Sequence, residues 1–336
     1  FMKNISELIA EGVLKIAEKA SGNPAGLDGL EHYTLGFAVK DYPAWTPGAW
    51  NRVYEALGVS CRNVRLVGNP EIASELAAIL KRDPQYLGGD VGVGFKDEMS
   101  RYLDSHELVA RQIGSINLIK KFPNGKLEGF NTDGPGFAEV IEEWFQVGNQ
   151  SPAGKKAVVL GAGGTASAIA FALAVKGVRV VILNRTVEKA EALAKRINSF
   201  FGGKRASYGG RRKDEMKKAL VNAALVVAAI DEVSIPMELY VALGEIILPL
   251  SDESILRNRE TAETLMEFLP KKALIVDVLV REEPTATLVL AAERGFETMD
   301  GKPMLVRQGR KAFYLLHREL LVSKGVDEAG LQKLMS

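Results

Sequence analysis

The chain has 336 residues, of which 47% are hydrophobic and 25% charged, and its formal net charge is +1. These values are ordinary for a globular protein, the length indicates two domains, and the near-zero charge gives no electrostatic basis for binding nucleic acid or an anionic membrane. No apolar run reaches the about 18 uncharged residues of a membrane span. The single cysteine, Cys61, excludes an internal disulfide and suits a reducing cytoplasm, while the three histidines lie too far apart to predict a metal site.

The first half of the chain alternates between short apolar segments and segments with helical spacing. Strands are predicted over residues 33–39, 63–68, 89–95 and 115–120. Helices are predicted over residues 4–19, 46–57, 69–82 and 105–114. Thr46 is the expected N-cap of its helix with Pro47 in the first turn, Gly114 ends the last one, and a Pro-Asn-Gly turn predicts a hairpin within 122–130. This alternation predicts an α/β sheet that is mostly parallel.

A second series of strands and helices begins near residue 156. A helix over 131–145 and a Gly- and Pro-rich linker over 146–155 precede it. Strands are predicted over residues 157–161, 179–184, 224–230 and 273–280, and helices after Gly161, over 187–198 and over 304–321. Residues 231–270 carry no pattern that assigns them, apart from a helical-looking stretch near their end.

The turn after the first strand of this series is rich in glycine. Gly161, Gly163 and Ala166 fit G-x-G-x-x-A, and Gly164 and Thr165 lie in the same loop. The first glycine allows a tight turn, the second lets the backbone approach a pyrophosphate, and the alanine allows close helix–strand packing. An ordinary βαβ turn without a ligand is the alternative, but the strand–turn–helix–strand context favours a dinucleotide site.

The second strand of this unit ends in Asn184-Arg185-Thr186 rather than in a carboxylate. An Asp or Glu at this place would accept hydrogen bonds from the ribose 2′-hydroxyl of NAD and would repel a 2′-phosphate. Arg185 can pair with a phosphate, Asn184 and Thr186 add neutral donors, and Lys189 follows one helical turn later. The sequence therefore predicts NADP as the cofactor.

Several linked segments resemble the shikimate dehydrogenase family, over nearly the whole chain. They read GAGGTASA with NRT, IGSINLI with EGFNTDGPGF, MDGKPMLVRQGRKAF, and DVGVGFKDEM. The resemblance implies that Lys96 and Asp133 are the catalytic pair. The positions that it implies for substrate binding are Thr46, Asn117 and Gln308, and those that it adds to the cofactor site are Gly301 and Met304.

The substrate segments depart from the family pattern. The family's N-V-T-x-P-x-K reads D-V-G-V-G-F-K here, so Asp90, Gly92 and Gly94 replace asparagine, threonine and proline. Thr46 stands where a serine is expected, and Val280 where a tyrosine is. Each buried partner left unpaired costs about 1–3 kcal/mol, so affinity for shikimate should fall unless other groups substitute.

The resemblance implies two domains in an α/β fold. Residues 1–133 with 304–336 would form the substrate-binding and catalytic domain, and residues 134–303 an NADP-binding Rossmann domain. Within the latter, 134–150 would be a connecting helix and linker, and the C-terminal helix would return to the first domain.

The expected reaction is a reversible hydride transfer between NADP and a cyclic hydroxy acid, with shikimate and 3-dehydroshikimate favoured. Lys96, close to Asp133, would take the hydroxyl proton. The alternatives are quinate or another shikimate-like acid as substrate, or a non-catalytic NADP-binding paralogue, against which the retained pair weighs. No metal, nucleic-acid or membrane partner is expected, and a homodimer is left open.

Overall fold

The computed structural model describes residues 3–230 and 236–336. The chain forms two compact units: the first unit runs up to Thr132 and resumes over Gln308–Ser336, and the second unit is Asp133–Arg307. Residues 231–235, part of the segment that the sequence left unassigned, lie outside the described residues. Among the described helices, none combines the length and apolar character that crossing a membrane requires.

The first unit is built on a seven-stranded sheet. Its strands are β1 (Leu14–Ile16), β2 (His32–Ala38), β3 (Cys61–Gly68), β4 (Tyr86–Asp90), β5 (Ser105–His106), β6 (Leu118–Lys121) and β7 (Leu127–Phe130). Its helices before residue 133 are α1 (Ile5–Ala10), α2 (Thr46–Ala56), α3 (Ala73–Arg82), α4 (Phe95–Ser100) and α5 (Leu108–Ile113).

The sheet of the first unit is mixed, with the order β1-β3-β2-β4-β6-β7-β5. Strands β3, β2 and β4 pair in parallel, but β1 pairs antiparallel with β3, and β6 pairs antiparallel with both β4 and β7. The prediction of a mostly parallel sheet is therefore wrong for this unit. The predicted hairpin turn is confirmed, because Phe122 N donates to Lys126 O at 2.9 Å between β6 and β7.

The helix predicted over 4–19 is wrong beyond Ala10. Gly12 has a φ of 73°, a left-handed conformation that ends the helix, and β1 follows as an edge strand. The apolar residues of β1 face the core through antiparallel pairing with β3, in which Leu14 lies opposite Gly68. Pairing with a distant strand overrides the local helical spacing.

Three further local predictions in the first unit need correction. The strand predicted over 89–95 is β4, which ends at Asp90, and α4 then begins at Phe95. The helix predicted over 105–114 is a two-residue strand followed by α5, although Gly114 ends it as predicted, with a φ of 74°. Thr46 is not an N-cap: α2 begins at Thr46 itself, and the preceding Trp45 contributes no capping side-chain hydrogen bond.

The second unit is a doubly wound Rossmann sheet. Its strands are β8 (Lys156–Leu160), β9 (Arg179–Leu183), β10 (Ala206–Gly209), β11 (Leu225–Ala228), β12 (Leu274–Asp277) and β13 (Glu297–Met299). Its helices are α6 (Asp133–Val147), α7 (Gly164–Val175), α8 (Val187–Phe201), α9 (Lys213–Leu220), α10 (Asp252–Met266) and α11 (Ala286–Glu293). All pairs are parallel in the order β10-β9-β8-β11-β12-β13, the order of dinucleotide-binding folds. The predicted fold class is confirmed. The elements β10, α9, α11, β13 and most of α10 were not predicted.

The C-terminal segment carries α12 (Lys302–Ser323) and α13 (Glu328–Met335). Backbone dihedrals at His317 are non-helical, so α12 is kinked within the predicted helix 304–321. In the first unit α12 and α13 pack on α2 around fully buried aromatic rings, and Trp50 and Phe313 meet edge to face with centroids 5.4 Å apart. The core of this cluster consists of Ala49, Trp50, Val53, Tyr54, Cys61, Leu118, Ala312, Phe313, Leu321, Leu331 and Met335.

Candidate functional site

The glycine-rich turn joins β8 to α7 at the carboxyl edge of the second unit's sheet. Gly161 has a φ of 119°, and a Cβ there would lie 2.5 Å from the carbonyl oxygen of Ala229. Its N–H donates to Leu183 O on β9 at 2.8 Å. Ala166 is fully buried in the first turn of α7. Gly161 and Ala166 thus have the packing positions that the motif requires.

Gly163 has a different environment. It is exposed, its φ of −78° is open to any residue, and a Cβ added there would meet no atom within 4 Å. It precedes Gly164 and Thr165, whose backbone N–H groups begin α7 and have no earlier helical carbonyl to bond. Open space beside N–H groups at a helix N-terminus fits the pyrophosphate of a dinucleotide.

The end of β9 lies beside this turn in the sheet order. Asn184 Nδ2 donates to the carbonyl of Thr186 at 2.9 Å, so this amide shapes the turn into α8. Thr186 occupies the N-cap position of α8 without a side-chain capping hydrogen bond. Arg185, Thr186 and Lys189 are all exposed at the surface. The structure therefore places a guanidinium, a hydroxyl and an ammonium at the strand end where a ribose substituent is expected.

A polar cluster in the first unit joins Asn117, Thr132 and Gln308. Asn117 Oδ1 accepts from the backbone N–H of Thr132 at 2.7 Å, and Asn117 Nδ2 donates to Thr132 Oγ1 at 2.9 Å and to Gln308 Oε1 at 3.1 Å. Asn117 and Thr132 are buried, whereas Gln308 is only partly buried. The oxygen of the Gln308 amide thus accepts hydrogen bonds within this cluster.

The two predicted catalytic residues each begin a helix. Lys96 is the second residue of α4 in the first unit and is half-buried, and its backbone N–H donates to Gly92 O at 3.2 Å. Asp133 is buried at the start of α6 in the second unit and directly follows Thr132 in the chain. Asn117 thus holds Thr132, the residue that precedes Asp133.

A charged cluster that the sequence did not predict occupies the altered D-V-G-V-G-F-K segment. Arg65 on β3 forms an ion pair with Asp90 at the end of β4, and its other terminal nitrogen donates to the Tyr42 hydroxyl. The Arg65 side chain is 5% exposed and that of Asp90 17%. Asp90 Oδ1 is buried and has no hydrogen-bond partner in the described structure.

Gly92 is explained by this cluster. A Cβ at Gly92 would lie 2.9 Å from Arg65 Nη2 and 3.1 Å from the Tyr42 hydroxyl. The guanidinium and the phenol therefore take the space of the threonine that the family pattern has there. Only the spatial pairing of β2, β3 and β4 reveals this replacement, because Tyr42, Arg65 and Asp90 are far apart in the chain.

The other predicted positions are packed into the fold. Thr46 is buried in the first turn of α2. Gly301 precedes α12, and a Cβ there would lie 2.1 Å from the carbonyl oxygen of Val278, so it allows close backbone contact. Met304 is buried, and Val280 is 44% exposed.

The second unit has a cavity of about 620 Å³ that none of the predicted site residues lines. Its lining residues are Arg211, Arg212, Lys213, Met216, Glu245, Arg257, Glu260, Thr261, Thr264 and Leu265. Within residues 3–230 and 236–336 no group of His, Cys, Asp and Glu side chains is arranged to hold a metal ion.

Comparison with known proteins identifies relatives across nearly the whole chain. The family model for Shikimate / quinate 5-dehydrogenase matches residues 145–236. A Methanopyrus kandleri protein named Shikimate dehydrogenase (NADP(+)) is 34% identical over 293 residues, covering 86% of this chain and 91% of that protein. A crystal structure of shikimate dehydrogenase in complex with NADP+ has a TM-score of 0.71 at 25% identity, covering 94% of this chain and 97% of that one. The shikimate 5-dehydrogenase of Thermus thermophilus, crystallised with NADP(H) and shikimate, has a TM-score of 0.62 at 26% identity, covering 91% and 98%.

Proposed function

This chain belongs to the shikimate dehydrogenase family of oxidoreductases, and we propose that it transfers hydride reversibly between NADP and shikimate. The observation that carries the proposal is the turn from β8 to α7, where Gly163 leaves open space beside the N–H groups of the helix. Arg185 at the end of the neighbouring strand favours the phosphorylated cofactor. The relatives named for NADP and shikimate support both halves of the proposal.

The cofactor supplies the hydride acceptor, and the protein side chains position the substrate and handle the proton. Lys96 takes the proton of the reacting hydroxyl at Nζ, and Asp133 is the second residue of the predicted catalytic pair. Gln308 donates from Nε2 to a substrate oxygen, and Asn117 acts as a positioning residue because it holds Thr132 and Gln308. Thr46 and the cofactor positions Gly301 and Met304 remain predicted contacts.

A second candidate substrate is another shikimate-like acid such as quinate. The observation that favours it is the Arg65–Asp90–Tyr42 cluster, in which an ion-paired carboxylate replaces the asparagine of the family pattern. Asp90 Oδ1 is buried without a hydrogen-bond partner, so a ligand group that reached it would have to donate a hydrogen bond. Such a change in donors alters which hydroxylated ring binds best.

The proposed function is tested by spectrophotometric assay of cofactor reduction, with shikimate and quinate each paired with NADP and with NAD. We expect turnover with NADP, and a loss of about 100- to 10,000-fold in kcat for Lys96→Ala and Asp133→Asn. Lys81→Ala is the matched control, because that lysine forms a surface ion pair with Asp104 away from the site and should keep full activity. Wild-type turnover in both site variants contradicts the roles of Lys96 and Asp133, and cofactor binding without turnover on either acid selects a non-catalytic protein.

A further inference from the structure

Two arginines occupy equivalent positions beyond neighbouring strands of the second unit. Strands β9 and β10 are parallel, with Leu183 in register with Gly209. Arg185 follows Leu183 by two residues and Arg211 follows Gly209 by two residues. The last hydrogen bond of this ladder runs from Asn184 N to Gly209 O at 3.2 Å. Parallel strands lie about 4.8 Å apart, so the two side chains start from adjacent points of the same edge.

The environment of Arg211 is unusual for a cation. Its side chain is partly buried, and Nη2 donates to the backbone carbonyls of Ala242 and Gly244, the latter at 3.2 Å. No carboxylate among the described residues pairs with it. Burial and, after it, the charge of Arg185 lower the pKa of the Arg211 guanidinium to about 10, which leaves it protonated at neutral pH.

The neighbouring Arg212 differs from Arg211 in both exposure and ion pairing. Arg212 is exposed, with its side chain 77% accessible, and it pairs with Asp214 at 3.2 Å and Glu215 at 3.5 Å. Its charge is therefore balanced by acidic neighbours on α9. The charge that acts on Arg211 is instead the like charge of Arg185, and an anion that contacts both guanidinium groups would offset their repulsion.

We infer that Arg211 is a second guanidinium of the site for the ribose 2′-phosphate, acting together with Arg185. The inference rests on the proposed use of NADP. A phosphate monoester carries a charge of about −1.5 to −2 at neutral pH, which two guanidinium groups match. The hydrogen bonds from Arg211 to the carbonyls of Ala242 and Gly244 fix the orientation of its guanidinium group, so little side-chain entropy is lost when a phosphate binds. Arg211 thus determines the preference for NADP over NAD along with the strand-end residues.

The experiment is calorimetric titration with adenosine 2′,5′-bisphosphate and with 5′-AMP, which differ only in the 2′-phosphate. The proteins are the wild type, Arg211→Gln, Arg211→Lys and the matched control Arg212→Gln. Loss of one hydrogen bond to a charged group corresponds to about a 10- to 100-fold change in affinity. We expect Arg211→Gln to lose that much affinity for the bisphosphate with unchanged affinity for 5′-AMP, Arg211→Lys to keep part of the preference, and Arg212→Gln to keep all of it.

Thermal unfolding of each variant separates binding from folding. If Arg211 serves only to hold residues 242–244 by its hydrogen bonds, Arg211→Gln should lower the melting temperature and reduce the affinity for both ligands equally. That result overturns the inference. Unchanged bisphosphate affinity in Arg211→Gln also overturns it, while the proposed function stands if the wild type prefers the bisphosphate. A wild type without that preference contradicts the proposed cofactor itself, and the inference falls with it.

Discussion

The ion pair between Arg65 and Asp90 lies in the segment where the family pattern has asparagine and threonine and this chain has Asp90 and Gly92. The guanidinium lies across the ring of Tyr42, with its central carbon 5.0 Å from the ring centroid, and the backbone N–H of Arg65 is held by Asn23 Oδ1 at 2.7 Å. Gly36 gives room for the pair, because a Cβ there would lie 2.6 Å from Asp90 Oδ1. Two glycines, Gly36 and Gly92, thus accommodate one buried pair of charges.

Asp90→Asn should destabilise the protein strongly, because it leaves the Arg65 guanidinium buried without its counter-ion. We expect a loss of about 3–5 kcal/mol in the free energy of unfolding, measured by urea denaturation. Glu11→Gln serves as control, since its ion pair with Lys3 is exposed and its removal should leave the urea midpoint unchanged. Equal midpoints for Asp90→Asn and the wild type contradict the importance of the pair.

At the scale of the elements, the β8–α7 turn uses its two spaced glycines for different purposes. Gly161 needs a positive φ and leaves no room for a side chain against Ala229, so it serves the fold. Gly163 has a negative φ and no neighbouring atom that a side chain would meet. The absence of a side chain there leaves room for a ligand at the N-terminus of α7. One motif therefore combines a folding requirement with a binding requirement.

Substitution of Gly161 should reduce stability, whereas substitution of Gly163 should reduce NADP affinity. Gly161→Ala should cost about 1–3 kcal/mol or more in unfolding free energy through backbone strain and the contact with Ala229. Gly163→Ala should stay within about 0.5 kcal/mol of the wild type but bind NADP at least about tenfold more weakly. Urea unfolding and fluorescence titration with NADP measure the two effects. Normal NADP affinity in a well-folded Gly163→Ala variant would argue against a pyrophosphate at this turn.

At the scale of the whole molecule, each unit has its own hydrophobic core. The core of the first unit includes a buried titratable residue at the kink of α12. His317 Nε2 lies 2.7 Å from the Tyr54 hydroxyl, and its ring packs on Phe313 with centroids 4.7 Å apart. Burial, and then the charge of Lys120, lower the pKa of His317 to about 3. This imidazole is therefore neutral in the folded protein.

His317 should make the first unit sensitive to acid. The unfolded chain binds its proton near pH 6.5 and the folded chain near pH 3, so stability is complete above the first value and falls between the two. The contribution is about 1.4 kcal/mol per pH unit. His317→Gln should flatten the pH dependence of urea unfolding by that slope, while the exposed His32→Gln should not. In a Trp144→Phe background, the fluorescence of Trp45 and Trp50 reports the first unit, and identical slopes for all three proteins would disprove the assignment.

The sequence by itself determined the features that depend on neighbouring residues. The strand–turn–helix around Gly161, the hairpin at Asn124-Gly125, the helix end at Gly114 and the basic end of β9 are local, because backbone freedom and short-range spacing decide them. The alternation of predicted strands and helices indicated the α/β fold class, and the linked sequence segments indicated the family.

Only the tertiary structure decided which distant segments became neighbours. Pairing with β3 turned residues 14–16 from a predicted helix into a strand, and the parallel alignment of β2, β3 and β4 brought Arg65 to Asp90. The register of β9 with β10 likewise set Arg211 beside Arg185. Strand pairing and the burial of charge are properties of the whole chain, since their free energy comes from contacts that no local window contains.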